Sequence, residues 1–478
     1  MAAAVLVPPL LGMSLSVWQR WWLAVVLVLL VQPLSPLQAG FWLSFFAVAV
    51  LLMAVSTSSS QGVGGRLKRI FIAQLAIFIG LFPVLLVFTG NISLVSPLVN
   101  MLAIPYISFI VLPAMVLLMP LIALGITDIP ILLTDSMLAL FWNGLVWTSQ
   151  VLSQSGTFGT IEDKIAASVT FEAEYLLLAG VGIVLMLLPK VSPFRPVGGL
   201  LCLPLLFGGD VLSREAYKVW VLDVGQGLSV LVRTANHALM FDTAASYPGG
   251  SVASSFIIPS ANRLGVHSLD WLVVSHGDND HSGGFTDIVR AFKPNDIFFG
   301  SRQWRNKQKD VPGRVRACGD IPDWQVDGVT FRFIQPDKVG AGNENNKSCV
   351  LVIENKECRL VLPGDAEAVV EKKIVREHEL TTDRYTWLVA GHHGSKTSSS
   401  NEWLDGVQPG LVIFSSGYKN RYGHPAKQVL QRLEMRSLPW LDTGLHGAVV
   451  LSAEGGGCEA TALRQVKWRY WLADSIRQ

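Results

Sequence analysis

The sequence predicts two unlike halves: a polytopic α-helical membrane domain over residues 1–211, and an α/β domain over residues 212–478 in which two packed sheets lie between outer helices, an αββα sandwich. Three observations carry this. Half of the 478 residues are hydrophobic and only 15% are charged, against about 25% in an ordinary soluble domain. Charge is also uneven, since only eight of the 38 Lys and Arg and eight of the 36 Asp and Glu precede position 217. Finally, long apolar runs give way after Leu212 to short alternating segments, the pattern of half-buried strands.

In the first half, apolar runs at Trp21 to Val31, Phe41 to Val55, Ile70 to Phe88, Leu94 to Leu124, Ile131 to Val151, Tyr175 to Leu188 and Val197 to Phe207 are separated by Gly, Pro, Ser or charged breaks. A span needs about 20 apolar residues. Three runs reach that plainly, the Leu94 run has the length to tilt or to break at Pro105, Pro113 or Pro120, and the first and last two are short. About seven spans are therefore expected. Lys and Arg in short loops stay cytoplasmic. With Arg66, Lys68 and Arg69 inside, alternation also puts Arg20, Lys190 and Arg195 inside and leaves Lys164 outside, so an odd number of spans delivers the second half to the outer face. The opening "MAAAVLVPPLLGM" lacks a basic start and is followed by further spans, which argues against a cleaved signal peptide.

The breakers "PKVSPFRPVGG" and "FGGDVLSREAYK" lead into strands at "YKVWVLDVG", "LSVLVRT", "HALMFDTA" and "LDWLVVSH", with helical patterns such as "GGFTDIVRAF" and "PAKQVLQRLEM" between and after them. The strand "LDWLVVSH" runs into "GDND" and then "HSGG", so His276, Asp278, Asp280 and His281 project from one strand-to-helix turn. A lone strand-end His is usually just a satisfied polar residue. Crowded aspartates repel one another unless a cation neutralises them, and imidazole with carboxylate is a metal-ligating set. Later strands end on Asp365 in "CRLVLPGDAE" and on His392 and His393 in "TWLVAGHHGSKTSSS", and "NRYGHP" offers His424.

HxDxDHxGG, a strand ending in GD, then HHGS and GHP resemble the metallo-β-lactamase superfamily. "VLDVGQG" and "FDTA" are similar to its opening strands in one branch, the ComEC competence proteins. In the membrane half, "GFWLSFFAVAVLL" and "QLAIFIGLFPVLLVFTGNISLVSPLVNMLAIP" resemble that family's competence transmembrane domain. The resemblance implies a channel in the bacterial cytoplasmic membrane that passes one strand of transforming DNA inward, with an extracytoplasmic metal-dependent nuclease domain degrading the other. DNA is the implied partner, with a DNA receptor, a cytoplasmic motor or helicase, and further copies of the chain as possible assembly members. It also implies that the chain begins partway into the competence domain, without the N-terminal part of longer relatives, and that Leu228 stands where many relatives have aspartate.

Carried over to these positions, one divalent ion, Zn²⁺ or Mn²⁺, would take His276, Asp278 and one of His392 or His393. A second would take Asp280, His281 and His424, with Asp365 bridging. The strand ends at either histidine, so the pair stays open, with His392 preferred. Asp280 and Asp365 are the expected catalytic carboxylates. Asp278 in place of the more usual histidine makes Mn²⁺ as plausible as Zn²⁺. Two such ions activate water and clamp the oxygens of a phosphodiester. Ser348, Asn346, Ser395 and Lys396 lie near these strand ends and are candidate phosphate contacts, against the plainer reading of solvated loop residues.

A polyanion meets positive charge at "SRQWRNKQKDVPGRVR": Arg302, Arg305, Lys307, Lys309, Arg314 and Arg316 surround one acid, Asp310, with Trp304 offered for base stacking. A solvated basic loop is equally expected. Asn100, Asp135 and Asn143 fall within the apolar runs and are candidate pore-wall groups. Of five cysteines, Cys202 lies in a membrane run and Cys458 in a Gly-rich turn. Cys349 and Cys358 fall out of register in one hairpin, and a Cys318–Cys349 disulfide is expected if the domain is outside. Two other functions stay open: a membrane-tethered hydrolase of a small ester or lipid headgroup, and a transport protein with an inactive metal domain.

Overall fold

The computed structural model describes residues 14–55, 65, 71–81, 85, 96–154, 173–186, 194–202, 212–308, 311, 313–335 and 343–466. The chain divides into two compact units, residues 1–209 with 262–265, and the remainder.

The described secondary structure of the first unit is helical: α1 (Val17–Val31), α2 (Ala39–Val55), α3 (Phe71–Leu81), α4 (Ser96–Tyr106), α5 (Leu112–Ala123), α6 (Asp128–Gln154), α7 (Ala173–Met186) and α8 (Arg195–Cys202). α1 starts on a capping box in which the Ser16 hydroxyl accepts from the Gln19 N–H and the Gln19 amide accepts from the Ser16 N–H. The run from Leu94 does not break at its prolines. α4 passes through a π-turn at Ile107–Val111 into α5, and a wider turn absorbs the carbonyl that Pro leaves without a donor. Among the described residues, two helices, Val99–Ala123 and Asp128–Thr148, are long and apolar enough to cross a membrane, and three shorter ones are apolar. The expected span at Ile70 to Phe88 and the loop cations Arg66, Lys68, Arg69, Lys164 and Lys190 lie partly or wholly outside the described residues.

In the second unit, β1 (Tyr217–Val221), β2 (Val230–Arg233) and β3 (Ala238–Phe241) form an antiparallel meander. After a small hairpin, β4 (Ser246–Tyr247) and β5 (Gly250–Ser251), the strands β6 (Trp271–Val274), β7 (Asp296–Phe299) and β8 (Arg314–Ala317) add in parallel beside β3. The second sheet starts antiparallel with β9 (Trp324–Val326), β10 (Val329–Phe333), β11 (Leu351–Glu354) and β12 (Cys358–Leu362). It continues in parallel through β13 (Tyr385–Val389), β14 (Leu411–Phe414) and β15 (Trp440–Asp442). Finally β16 (Val449–Glu454) and β17 (Gly457–Ala462) return to the first sheet beside β1.

Alternate residues of both sheets meet in one core. Tyr217, Val219 and Val221 of β1 and Val449 and Leu451 of β16 face Leu351, Ile353, Leu360, Leu362, Trp387, Val389 and Ile413. The second sheet's other face packs Val352, Val361, Leu388, Val412 and Phe414 against helices at Ala368–Glu377, Asn401–Val407 and Lys427–Glu434. The helix at Phe285–Phe292 buries Phe285, Ile288, Val289 and Phe292, so the layers read helix, sheet, sheet, helix. Buried Arg359 ties layers together, donating to the carbonyls of Leu380 (2.6 Å) and Val407 (2.8 Å) and to the Thr386 hydroxyl.

Two disulfides join the sheets. Cys318, after β8, pairs with Cys349, before β11, as expected; Cys358 of β12 pairs with Cys458 of β17. The second pairing was hidden in the sequence because Cys458 sits in a glycine-rich stretch that reads as a turn. In the structure it begins an edge strand of the opposite sheet.

Candidate metal centre

Four loops at strand ends build the site. β6 ends at Val274, and Asp278 to Ser282 turn into the helix Asn279–Ser282, putting His276 and His281 fully inside and leaving the Asp278 side chain half exposed. Gly227 of the "DVGQG" loop is pressed against this turn. Its φ is +142°, and a Cβ there would lie 2.6 Å from the Asp280 carbonyl oxygen, so only glycine fits. Neighbouring Leu228 is buried in the core. Asp365 follows Gly364 (φ +56°), whose missing Cβ makes room for Ser275 and Ser348.

After β13 the chain turns through His392 (φ 51°, ψ 43°) and His393 (φ 55°, ψ 21°), two consecutive left-handed residues between glycines. Such residues are uncommon outside glycine and cluster at functional sites. The turn separates the two rings, with His393 3% exposed and His392 26%.

Ligand-type atoms converge here. The Nε2 atoms of His281 and His393 are 3.2 Å apart. His281 Nε2 is 3.0 Å from Asp365 Oδ1, and His393 Nε2 is 3.3 Å from Asp280 Oδ2 and 3.8 Å from Asp365 Oδ2. His276 Nε2 lies 3.6 Å from Asp278 Oδ2 and 3.9 Å from Asp365 Oδ2. His276, His281 and Asp365 form one group of metal-ligand spacing, and Asp280, His281 and His393 another.

What lies behind the rings shows that a cation fits. The Nδ1–H of His281 donates to Asp242 (2.7 Å) and that of His393 to the Ser415 carbonyl (2.9 Å). Ser275 gives its own hydroxyl proton to Asp242 (2.7 Å), so it accepts from His276 Nδ1–H at 3.0 Å. With Nδ1–H spent outward, each ring is placed to offer its Nε2 to the cluster. His276 Nε2 and Asp365 Oδ1 are buried with no hydrogen-bond partner, a costly state for polar atoms. Lone pairs facing one another and two carboxylates repel unless a cation lies among them, and the outward Nδ1–H bonds are those that orient metal-ligating histidines.

The carboxylates also draw a proton to His281, so a proton and a metal ion would compete for its Nε2. Burial pushes Asp365 up, yet His281 and His393 hold its carboxyl well below the usual range. Burial likewise opposes ionisation of Asp280, but the His393 hydrogen bond and the charge of His281 bring it to about 2. Burial would lower His281, and Asp365 and Asp242 reverse this, raising it well above its ordinary value. His424, set back beside Gln226 and 6.1 Å ring to ring from His392, is lowered to about 4 by burial and then by His393 and His392.

The side-chain atoms that lie closest are thus grouped differently from the pairing carried over from motifs. His393, rather than His424, stands beside Asp280 and His281, while His392 Nε2 is 3.8 Å from Asp365 Oδ2 and its Nδ1 meets the Thr397 hydroxyl. Asp242, Ser275 and Ser415 were not singled out from sequence. The only signal for Asp242 was its place at the end of the strand "FDTA".

Of the other candidates, Ser348 is buried and its Oγ accepts from the Asp365 N–H (3.1 Å), Asn346 is bonded to Glu367, Ser395 is buried beside Thr397, and Lys396 is exposed. Trp304 is not available to stack on a base: it is 8% exposed, packed edge-on against Phe285 at 5.0 Å. The segment around it is no loop but the short helix Arg302–Lys307 and the strand β8, and amphipathic burial takes the indole inward. Arg302, Arg305 and Arg316 line a groove of about 630 Å³ with Asp320. Arg314 and Arg316 both pair with Asp296, and Lys309 lies outside the described residues. Asp135 and Asn143 are exposed on α6, and Asn100 lies on α4.

The second unit has the metallo-β-lactamase fold, and this fold implies divalent-metal binding. Residues 222–411 match the family described as "Metallo-beta-lactamase superfamily", and residues 1–191 match "Competence protein". The chain thus joins a region that matches the competence-protein family to one that matches the metallo-β-lactamase superfamily. It is 34% identical to "Competence protein ComA" of Neisseria gonorrhoeae over 96% of this chain and 62% of that protein, and 28% identical to "ComE operon protein 3" of Bacillus subtilis (strain 168) over 89% and 57%. It therefore spans about 60% of the length of these relatives. A solved metallo-β-lactamase fold protein, YhfI of Bacillus subtilis, covers 48% of this chain and 95% of its own at 12% identity, with a TM-score of 0.32.

Proposed function

We propose that this chain acts in DNA uptake during natural transformation, as a multi-pass protein of the bacterial cytoplasmic membrane whose extracytoplasmic second unit is a metal-dependent phosphodiesterase that degrades the strand not transported. The observation that carries the nuclease reading is the set of three inward Nε2 lone pairs with Asp280 and Asp365, two of whose buried atoms have no protein partner. His276, Asp278 and Asp365 would hold one divalent ion, and Asp280, His281, His393 and Asp365 a second; when bound, such ions supply Lewis acidity toward water and a phosphoryl oxygen. The protein's own part is positional. Asp242, Ser275 and the Ser415 carbonyl fix ring tautomers, and Ser348 holds the Asp365 backbone. Half-exposed Asp278 and His392 mark the side open to substrate.

Placement outside the cytoplasm is supported by two core disulfides, which persist in oxidising compartments, together with the loop cations of the first half. Arg302, Arg305 and Arg316 around one groove support contact with phosphate. Residues Asn100, Asp135 and Asn143 are proposed to face a conduit rather than lipid.

The test is cleavage of single- and double-stranded DNA by the purified full chain with Mn²⁺ or Zn²⁺, beside Asp365→Ala. Metal-dependent cleavage lost in the variant supports the nuclease. No cleavage by a folded, metal-loaded protein overturns it and favours a transport role or another ester as substrate.

A further inference from the structure

Beside the metal centre, residues 417–424 form a loop with an unusual surface. Tyr418 is 52% and Tyr422 54% exposed, two large rings left in water within five positions. Each carries a cation: Lys419 Nζ lies 5.3 Å over the Tyr418 ring, and the Arg421 guanidinium 4.8 Å over that of Tyr422. Tyr422 also stacks on His424 (5.7 Å, 24° between planes), whose ring is 6.1 Å from that of His392. The column from Arg421 inward thus ends at a histidine 3.8 Å from Asp365.

The loop is held rigid. The Asn420 side chain donates to the carbonyls of Gly417 (3.0 Å) and His424 (2.6 Å) and accepts from the His424 N–H (3.0 Å). The tyrosines serve no core: Asn420 fixes the loop, and the Tyr422 hydroxyl accepts from its neighbour Arg421 (2.6 Å).

We infer that the 417–424 loop is the seat of the single DNA strand being cut, with Tyr418 and the Tyr422–Arg421 stack as base platforms and Lys419 and Arg421 as phosphate contacts. This rests on the nuclease reading of the adjacent centre. Unpaired bases stack on aromatic rings and guanidinium planes regardless of sequence, and cations interleaved with them track the backbone. A duplex offers no free base faces, so the loop discriminates for single strands. It also replaces Trp304, whose burial removes the aromatic partner expected in the basic segment.

The test uses full-length protein in detergent. Binding of a fluorescent 12-mer single strand is read by anisotropy in EDTA, and its cleavage with Mn²⁺ is compared with hydrolysis of bis(4-nitrophenyl) phosphate, a diester with no base to stack. Tyr418→Ala and Tyr422→Ala are each expected to weaken binding about tenfold and to lower the ratio of oligonucleotide to small-diester kcat/KM by a similar factor. Tyr422→Leu, which keeps bulk, should behave like Ala, and an abasic strand should bind wild type and variants equally weakly. Met435→Ala, at another exposed site, serves as the control. If wild type hydrolyses both substrates and the tyrosine variants match it, or if duplex is preferred, the inference falls and the nuclease stands. If nothing is hydrolysed but binding still depends on the tyrosines, the loop is a strand-holding site and the nuclease reading falls. Loss of both overturns both.

Discussion

At the scale of single residues, the two adjacent histidines are inequivalent for a backbone reason. A strand would send them to opposite faces, and a helix to neighbouring ones. Two left-handed residues in succession instead drive His393 into the cluster and leave His392 at its mouth. No pattern of residue types announces such a turn beyond its flanking glycines, which is why the residues that gather here were legible and their grouping was not. His393→Ala should reduce Mn²⁺ affinity at least a hundredfold and His392→Ala far less, as measured by calorimetry on the purified protein. Asp242→Asn keeps shape but removes the charge behind His281, and should lower metal affinity by 10- to 100-fold. A different carboxylate sets a pH dependence. Glu371 is buried beneath the backbone N–H groups of Ser399 (2.6 Å) and Ser400 (2.8 Å), and burial raises its pKa from 4.5 to about 7 despite them. The folded state thus holds a proton that the unfolded state has released between those values. Its contribution to stability is full below about pH 4.5 and is lost as pH rises through 7. The difference in denaturation midpoint between wild type and Glu371→Gln should trace that fall, and a flat difference would refute the assignment.

At the scale of elements, strand ends were the readable feature. Alternation locates a strand and hence its last residue, and in an α/β sandwich those ends gather on one rim, so His276, Asp365 and the histidine pair could be expected together. Burial inside a short helix was not readable, because "RQWRNK" carries a single apolar residue and shows no period; its cations outvoted its indole. The disulfides divided in the same way. Cys318 and Cys349 stand near strand ends of neighbouring segments, whereas Cys458 needed β17 to join the first sheet before it could face β12 of the second. With four of the five cysteines paired, denatured unreduced protein should titrate one thiol, that of Cys202. Replacing Cys358 and Cys458 together by Ser should cost about 4 to 5 kcal/mol, since the bond closes a loop of 100 residues, measured by denaturant unfolding of the same preparation.

At the scale of the whole molecule, the division into a charge-poor and a charge-rich half was visible in composition alone. The continuity of the helices was not, since the described part of the Leu94 run, from Ser96 to Ala123, stays helical where proline argues for a break. The two cross-sheet bonds give the second unit a mechanical character. Cys318–Cys349 and Cys358–Cys458 enclose successive rings, 31 and 100 residues around, which do not overlap. Together they hold roughly 450 Å of chain contour at about 3.5 Å per residue. Under a pulling force that length stays locked: the oxidised unit can shed its outer segments and still keep its two sheets fastened to each other. Reduction should lengthen its force-extension trace by about that amount, turning a clamp into a yielding fold.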